Sequence, residues 1–359
     1  MTARALQLDL VPLTLECGAA LPALHVAGWE WGPPEGPVVV VIHALTGDAR
    51  VDEWWLGMFG AGKALDPTTH RIICLNNLGS CYGTTGPADA DFPRRRAVVG
   101  DRPNPQTKGL PCLPEDDLPA PITPWDQARA WLLALDALGI DHVALLTGGS
   151  LGGMICLCLA ALAPERFRAV VPIATDVRAT PWVIGWNHIG RQAVLADPVN
   201  GLAIARQLAH MTYRANPGLE ARQGRQTTGA DSEWPLQPYR MQTYLQHHGH
   251  KLKERFHPGA YLSQLDAMDH HDIHRRPTAD PHESWNSNGA WGTSRLPPLT
   301  VVGIDTDQLF PPEPLRALAQ LVPGSTYSEL ASEHGHDGFL IESEPLNKIL
   351  ARALNQESS

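Results

Sequence analysis

Short apolar runs rich in β-branched residues recur along the chain, and segments with apolar residues at helical spacing separate them. Runs of this length predict strands that are buried on both faces of a sheet. The predicted strands are residues 37–43, 70–76, 142–148, 169–173, 298–304 and 327–330. Because strands and helices alternate, we expect a mostly parallel sheet with helices on both faces.

Three helices are predicted beside these strands. A capping box formed by Thr123 and Asp126 predicts that one helix begins just after Thr123, since each side chain can accept the other residue's backbone N–H. Apolar residues at helical spacing continue this helix toward Gly139. Two more helices are predicted over residues 151–162 and 343–354.

The stretch from 176 to 295 has a different character. It contains helical patterns around residues 180–196, 201–214 and 237–247, polar turns rich in histidine and no clear pattern of a buried strand. An inserted helical lid between two parts of one sheet explains this change most simply. The predicted organisation is a first part of an α/β core over residues 1–175, a helical lid over 176–295, and a second part of the core over 296–359.

Composition and charge narrow the classes of function. The chain has 359 residues, of which 43% are hydrophobic, so it can bury a sizeable core. Its formal charge of −10 and the lack of a strong basic run argue against a nucleic-acid partner. No apolar stretch reaches the roughly 18 residues of a membrane span, and no leader peptide is evident. We therefore expect a soluble, cytoplasmic protein.

Six cysteines are scattered along the chain, at positions 17, 74, 81, 112, 156 and 158. No CxxC pair is present, which argues against a disulfide framework or a structural zinc site. Two groups of histidines, His247, His248, His250 and His270, His271, His274, could in principle bind a metal. Because neither group has an obvious supporting carboxylate, we predict no metal and no bound cofactor.

The strongest chemical signal is a G-x-S-x-G motif centred on Ser150, directly between a predicted strand and a predicted helix. A sharp turn in that position lifts the serine hydroxyl clear of the sheet, and this arrangement is typical of nucleophiles in α/β-hydrolases. The start of the following helix also offers free N–H groups to an oxyanion. We therefore predict an α/β-hydrolase fold with Ser150 as its nucleophile.

A nucleophilic serine needs a base and an orienting carboxylate, which follow it in this order: acid first, then histidine. The strand that ends at residue 304 is followed by Asp305 and Asp307. The last predicted strand is followed by His334 and His336. Position alone leaves open which aspartate and which histidine take part.

An oxyanion hole requires two N–H donors. The residue after the nucleophile, Leu151, normally supplies one of them. The second normally comes from the loop after an early strand, here residues 43–47, and Leu45 is the candidate in that loop.

Several longer segments resemble the homoserine O-acetyltransferase family, in the family's order and over nearly the whole chain. They are HALTGDA (43–49), NNLGSCYGTTGP (76–87), GGSLGGM (148–154), TYR (212–214), GIDTDQLFPP (303–312) and GHDGFL (335–340). The resemblance implies an α/β-hydrolase core with a lid that mediates homodimerisation. It also implies acetyl-CoA as the acyl donor and homoserine as the acceptor, on the route to methionine.

The resemblance also assigns residues. It makes Ser150 the nucleophile, Asp307 the acid and His336 the base. It further implies that Arg214 anchors the acceptor's carboxylate and that Asp337 holds its ammonium group. Arg191 matches a family arginine near the site, and Tyr244 matches a tyrosine that lines the pocket.

Other functions remain open at this point. The same residues could serve an O-succinyltransferase, or an enzyme that acylates serine rather than homoserine. A serine esterase or other hydrolase could use the same triad and would release acyl groups without an acceptor. A non-catalytic binding protein could keep the fold without using the triad.

Overall fold

The structure is a computed structural model that describes residues 3–95, 118–197, 199–229, 236–275, 277 and 292–355. Cys112 and parts of the predicted lid segment lie outside these residues. The other five cysteines are free thiols. Within the described ranges, no helix combines the length and the apolar character needed to cross a membrane.

One eight-stranded sheet forms the centre of the molecule, and a two-stranded sheet lies beside it. The strands are β1 Arg4–Leu10, β2 Leu13–Thr14, β3 Ala20–Leu21, β4 Leu24–Trp31, β5 Val38–Ile42, β6 Arg71–Leu75, β7 Leu145–Gly149, β8 Val170–Ile173, β9 Thr300–Ile304 and β10 Thr326–Leu330. The order across the large sheet is β1-β4-β6-β5-β7-β8-β9-β10. From β6 to β10 the neighbouring strands pair in parallel.

The parallel strands are buried on both faces, as their apolar runs predict. In β5 the side chains of Val40 and Ile42 belong to one core cluster, whereas Val39 and Val41 belong to the other. Successive side chains of a strand point to opposite faces, so a continuous apolar run fits only a sheet that is covered on both sides.

Helices cover both faces of the sheet. They are α1 Val51–Trp54, α2 Pro124–Ala137, α3 Leu151–Leu162, α4 Pro181–Ala196, α5 Gly201–Tyr213, α6 Asn216–Gln223, α7 Arg240–Arg255, α8 Pro258–Asp269, α9 Pro312–Leu321, α10 Gly338–Ile341 and α11 Ser343–Asn355. The predicted capping box is present at the start of α2. Asp126 N–H donates to the Thr123 hydroxyl at 3.2 Å, and Thr123 N–H donates to the Asp126 carboxylate at 3.0 Å.

Helices α4 to α8 all lie in the chain between β8 and β9. The described residues from 176 to 295 contribute no strand to either sheet. Helix α5 packs against both α4 and α7, and α4 packs against α8. We refer to these five helices as the lid helices. The division of the chain at 175 and 295 stays a prediction.

The sequence analysis missed the antiparallel part of the sheet. Strands β1 and β4 pair with each other, and β4 pairs antiparallel with β6. Strand β1 forms the edge of the sheet, and most of its side chains are exposed or half-buried. Its apolar pattern is therefore much weaker than that of the buried strands. Helices α6, α8 and α9 were likewise not predicted, and α7 extends further than the pattern over 237–247 indicates.

Candidate active site

Ser150 lies between the end of β7 and the first residue of α3. Its φ is 57° and its ψ is −126°, a backbone conformation that residues other than glycine adopt rarely. Two hydrogen bonds hold the turn, since Ser150 N–H donates to Ile173 C=O at 2.9 Å and its own C=O accepts from Met154 N–H at 3.1 Å. The predicted strand–turn–helix context of the serine is present.

Two glycines of the motif are required by close packing. A Cβ at Gly152 would lie 2.3 Å from the carbonyl oxygen of Ile42 on the neighbouring strand. A Cβ at Gly149 would lie 2.6 Å from the ring of Phe339. The turn that presents Ser150 can therefore pack against both neighbours only because these positions lack side chains.

His336 and Asp307 form a buried pair. The Nδ1 atom of His336 lies 2.7 Å from Oδ2 of Asp307. The other carboxylate oxygen of Asp307 accepts the N–H groups of Leu309 and Phe310, at 2.8 and 2.9 Å. These bonds fix the carboxylate, and the carboxylate in turn fixes the orientation of the imidazole.

The two alternatives that position alone left open lie elsewhere. Asp305 accepts the backbone N–H of Ser332 at 2.9 Å. His334 lies beside Arg222, with 3.4 Å between the guanidinium and Nε2 of the imidazole. The geometry therefore favours Asp307 and His336 as the acid and the base.

The surroundings of His336 determine its protonation. Burial lowers the pKa of the imidazole, but the charge of Asp307, the hydrogen bond to Asp307 and the charge of Asp337 outweigh it. The net effect raises the pKa of His336 above the ordinary histidine value of 6.5. A base with a raised pKa accepts a proton more readily, and it requires a higher pH to be free of one.

The loop over residues 43–47 follows β5 and contains Leu45. His43 is fully buried, and its Nε2 accepts the N–H of Asn77 at 3.0 Å. Its Nδ1 therefore carries the proton and donates to Ala44 C=O at 2.8 Å. Burial lowers the pKa of His43, which favours this neutral form.

Ala44 C=O accepts a second hydrogen bond, from Gly47 N–H at 2.9 Å. In a trans peptide the C=O and the N–H of the next residue point in opposite directions. The two bonds to Ala44 therefore fix the direction of the Leu45 N–H. Leu151 is the first residue of α3, where the N–H has no acceptor within the helix.

A cavity of about 170 Å³ brings most of these groups together. Ser150, His336 and Leu45 line it, together with Asp337. A larger open groove of about 670 Å³ lies between residues 57–70 and helix α11, and none of the predicted site residues lines it. We therefore take the smaller cavity as the active site.

Arg214 and Asp337 face each other next to this cavity. Nη1 of Arg214 donates to Oδ2 of Asp337 at 3.2 Å, and both side chains are largely buried. The Nε of Arg214 is buried and has no acceptor among the residues that the structure describes. The two predicted anchors for the acceptor thus form an ion pair with each other.

Arg191 and Tyr244 are not among the residues that line the cavity. The guanidinium of Arg191 donates to Asp266 at 3.0 Å and to Asp269 at 2.7 Å, both on α8. Because this ion-pair network joins α4 to α8, we propose a structural role for Arg191 in place of the predicted contact with substrate. The ring of Tyr244 packs against His210, with 5.6 Å between the ring centroids.

Three histidines of the two candidate metal groups have other partners. The imidazoles of His270 and His271 hydrogen-bond backbone carbonyls, at 2.8 Å each. His248 packs against Tyr244, with 4.5 Å between the ring centroids. Within the described part of the chain, no group of three or more histidine, cysteine or acidic side chains could hold a metal ion.

The sequence analysis missed three side chains that the structure places around the cavity: Arg206, Tyr213 and Arg255. Tyr213 packs its ring against the imidazole of His336, with 5.6 Å between the centroids. The two arginines come from α5 and α7. The TYR segment, which ends at Arg214, and the match at Tyr244 on α7 were the signs that this region of the chain approaches the site.

Comparisons with known proteins place the chain in a family. The sequence profile of the alpha/beta hydrolase fold matches residues 37–343. A homoserine O-acetyltransferase from Nostoc punctiforme is 38% identical over 356 residues, which cover 95% of this chain and 93% of the relative. One from Salinibacter ruber is 37% identical and covers 96% of each chain.

Solved structures agree with the fold. A homoserine O-acetyltransferase from Staphylococcus aureus superposes with a TM-score of 0.76 at 26% identity, over 99% of this chain and 97% of that one. Esterase E22 superposes with a TM-score of 0.75 at 16% identity, over 99% of this chain and all of that chain, and shows the fold alone. The predicted α/β-hydrolase fold is confirmed.

The first prediction concerns the proposed nucleophile, Ser150, and its proposed base, His336. Ser150→Ala should abolish acylation by an activated ester, and His336→Ala should be nearly as severe, because such residues act as a unit. The matched control is His334→Ala, which removes an imidazole two residues away and should leave acylation near the wild-type rate. Circular dichroism would establish that all three variants fold. Loss of acylation in the control but not in His336→Ala would refute the assignment.

The second prediction concerns pH. His336 must be neutral to accept the serine proton, so acylation should fall as the pH drops through its raised pKa. Asp337→Asn removes one of the charges that raise this pKa, so the acid limb of the acylation rate should move to lower pH. The profile would be measured with an ester donor and no acceptor, so that any role of Asp337 in acceptor binding does not enter. An unchanged limb, or a shift to higher pH, would contradict the electrostatic argument.

Proposed function

The chain belongs to the homoserine O-acetyltransferase family within the alpha/beta hydrolase fold, and on this premise we propose that it transfers an acetyl group from acetyl-CoA to the hydroxyl of L-homoserine. The observation that carries the proposal is one cavity lined by Ser150, His336 and Asp337. His336 is paired there with Asp307, and Asp337 with Arg214. This arrangement supplies a nucleophile, its base and two opposite charges for an amino acid.

The first half of the proposed reaction acylates the enzyme. Ser150 Oγ attacks the thioester carbonyl, and His336 takes the hydroxyl proton. The N–H groups of Leu45 and Leu151 stabilise the oxyanion that forms, an effect typically worth about 3–4 kcal/mol per donor. The C–S bond then breaks, and the CoA thiol leaves with the proton that His336 returns.

The second half transfers the acyl group. The homoserine hydroxyl attacks the acyl-Ser150 carbonyl while His336 takes its proton. The ester bond to Ser150 breaks, and the serine oxygen recovers the proton from His336. Water can attack the same acyl-enzyme, so the enzyme must favour the bound amino acid over water.

Arg214 and Asp337 supply the specificity for an amino acid. A guanidinium can donate two parallel hydrogen bonds to a carboxylate, and Arg214 has a buried Nε–H with no acceptor among the described residues. Asp337 lines the cavity and can accept the ammonium group. Together these contacts would hold the acceptor by its two charges and leave its hydroxyl free to react.

The size of the cavity fits a reaction in which the amino acid enters it completely and acetyl-CoA enters only in part. Its volume of about 170 Å³ is well below the roughly 300–1,000 Å³ of sites that hold drug-sized ligands. A small amino acid and an acetyl group can share it, whereas most of the CoA molecule must lie outside. Acetyl-CoA therefore acts as a co-substrate that enters by its thioester end.

We also propose that the protein forms a homodimer through the lid helices. Large apolar side chains on α4 and α5 are exposed, including Trp182 at 53%, Ile189 at 50% and Ile204 at 49%. Exposed apolar patches of this kind are typical of protein–protein interfaces. A second copy of the chain could cover this face.

With the proposed activity we also propose a role in methionine synthesis and a cytoplasmic location.

The third prediction separates this activity from hydrolysis. An acyl-Ser150 intermediate requires ping-pong kinetics, with parallel double-reciprocal lines for acetyl-CoA and homoserine. Without homoserine, CoA release should stop after a single turnover, and sustained release should depend on the acceptor. Mass spectrometry after incubation with acetyl-CoA alone should find one acetyl group on Ser150. Intersecting lines with no adduct would contradict the mechanism. CoA release at the same rate without homoserine would make the protein a hydrolase.

The fourth prediction concerns the carboxylate anchor. Arg214→Lys keeps the charge but loses the planar fork, so kcat/KM for homoserine should fall roughly tenfold or more, equivalent to about 1.4 kcal/mol. Formation of the acyl-enzyme from acetyl-CoA should change much less. Arg222→Lys is the matched control, because Arg222 lies beside His334, whereas Arg214 pairs with Asp337 of the cavity lining. Equal losses in both half-reactions would assign Arg214 a structural role instead.

A further inference from the structure

Two arginines of the lid helices bind the same residue of the loop that carries Leu45. Arg206, on α5, donates from Nη1 to the hydroxyl of Thr46 at 3.2 Å. Arg255, the last residue of α7, donates from Nη2 to the carbonyl oxygen of Thr46 at 2.8 Å. Thr46 directly follows Leu45, so both guanidiniums act on the segment that would supply an oxyanion N–H.

Both guanidiniums contact neutral oxygens of described residues. Besides Thr46, Arg255 donates to the hydroxyl of Tyr82 at 2.6 Å, and Arg206 lies over the ring of Tyr213. Within the described part of the chain, no carboxylate forms an ion pair with either arginine. Their charges therefore remain available beside a cavity in which a negative charge develops.

The loop is held from two sides. On the core side, His43 accepts the N–H of Asn77. His43 and Gly47 in turn both donate to the carbonyl of Ala44, which fixes the direction of the Leu45 N–H. From the lid, the two arginines fix the hydroxyl and the carbonyl of Thr46. If only Ala44 were held, the rest of the loop could still rotate. Contacts at both Ala44 and Thr46 restrict the loop to one orientation.

We infer that Arg206 and Arg255 are positioning residues for the oxyanion hole, and that the lid completes this hole by binding Thr46. The inference rests on the proposed acyl-Ser150 chemistry. It makes the lid part of the catalytic geometry, in addition to any role in excluding water. The effect belongs to the transition state, because the oxyanion exists only there, so it should appear in kcat and not in KM.

A competing explanation is that the arginines bind the phosphates of CoA. The spacing argues against it, since both guanidiniums contact the residue next to Leu45, close to the reacting carbonyl. The pantetheine arm separates the thioester from the phosphates by many bonds. The two explanations also predict different substrate dependence, which provides the test.

The test compares two acyl donors in Arg206→Met, Arg255→Met and Thr46→Val. Acetyl-CoA carries phosphates, whereas p-nitrophenyl acetate carries none, yet both acylate Ser150 through the same oxyanion. We expect all three variants to slow acylation by both donors by a similar factor, about tenfold or more, with little change in KM. Arg240→Met is the matched control, because Arg240 begins the same helix that Arg255 ends, and its exposed guanidinium donates to Gln226. It should react at the wild-type rate.

Three outcomes would overturn the inference. Slower acylation by acetyl-CoA alone, with a raised KM, would assign the arginines to CoA binding. A wild-type rate in Thr46→Val would mean that Arg206 does not act through the Thr46 hydroxyl, and wild-type rates in both arginine variants would remove any role. Thr46→Val leaves both arginines in place and removes only the contact of Arg206, so it tests that contact even if Arg206→Met fails to fold. Arg255 binds the backbone carbonyl, which Thr46→Val keeps, so its part is tested by Arg255→Met. Failure of the wild-type protein to acetylate homoserine would refute the proposed function but leave the ester result intact.

Discussion

At the end of β7 the chain must turn into α3 within a single residue, and Ser150 adopts a φ of 57° to make that turn. A conformation of this kind costs a residue other than glycine about 1–3 kcal/mol. The surrounding structure has to offset that cost. It does so with the hydrogen bonds of Ser150 to Ile173 and Met154 and with the close approach that Gly149 and Gly152 permit. The sheet, the helix and the loops at this edge are all arranged around that turn.

The electrostatics of the site follow from burial. An imidazole buried in apolar surroundings favours its neutral form, yet His336 has a raised pKa because Asp307 and Asp337 lie close to it. The charge of Asp48 acts on His43 in the same direction, but burial outweighs it and lowers the pKa of His43. Two buried histidines of one site therefore differ in proton affinity, and each affinity fits the role that the residue has. His336 can take up a proton, while His43 keeps one tautomer and holds the loop.

Much of the fold could be predicted from the sequence, because parallel strands buried on both faces leave continuous apolar runs such as β5. Strand β1 leaves no such run, since most of its side chains are exposed or half-buried at the edge of the sheet. Within the site, the turn at Ser150 has a recognisable local pattern. The choice of Asp307 over Asp305 depends on how the loop after β9 folds, which spacing does not determine. The meeting of Arg206 and Arg255 at Thr46 depends on how α5 and α7 pack, and no local pattern encodes it.

Because Arg214 and Asp337 already form an ion pair, the charges that a ligand carries determine how much free energy its binding gains. A molecule with a single carboxylate could pair with Arg214 only by leaving Asp337 without a partner. A simple amine could pair with Asp337 only by leaving Arg214 without one. Either exchange replaces one ion pair by another and gains little free energy. A zwitterion of the right length replaces one ion pair by two. On the proposed role of this pair, the site binds a zwitterion more tightly than the many metabolites that carry only one of the two charges.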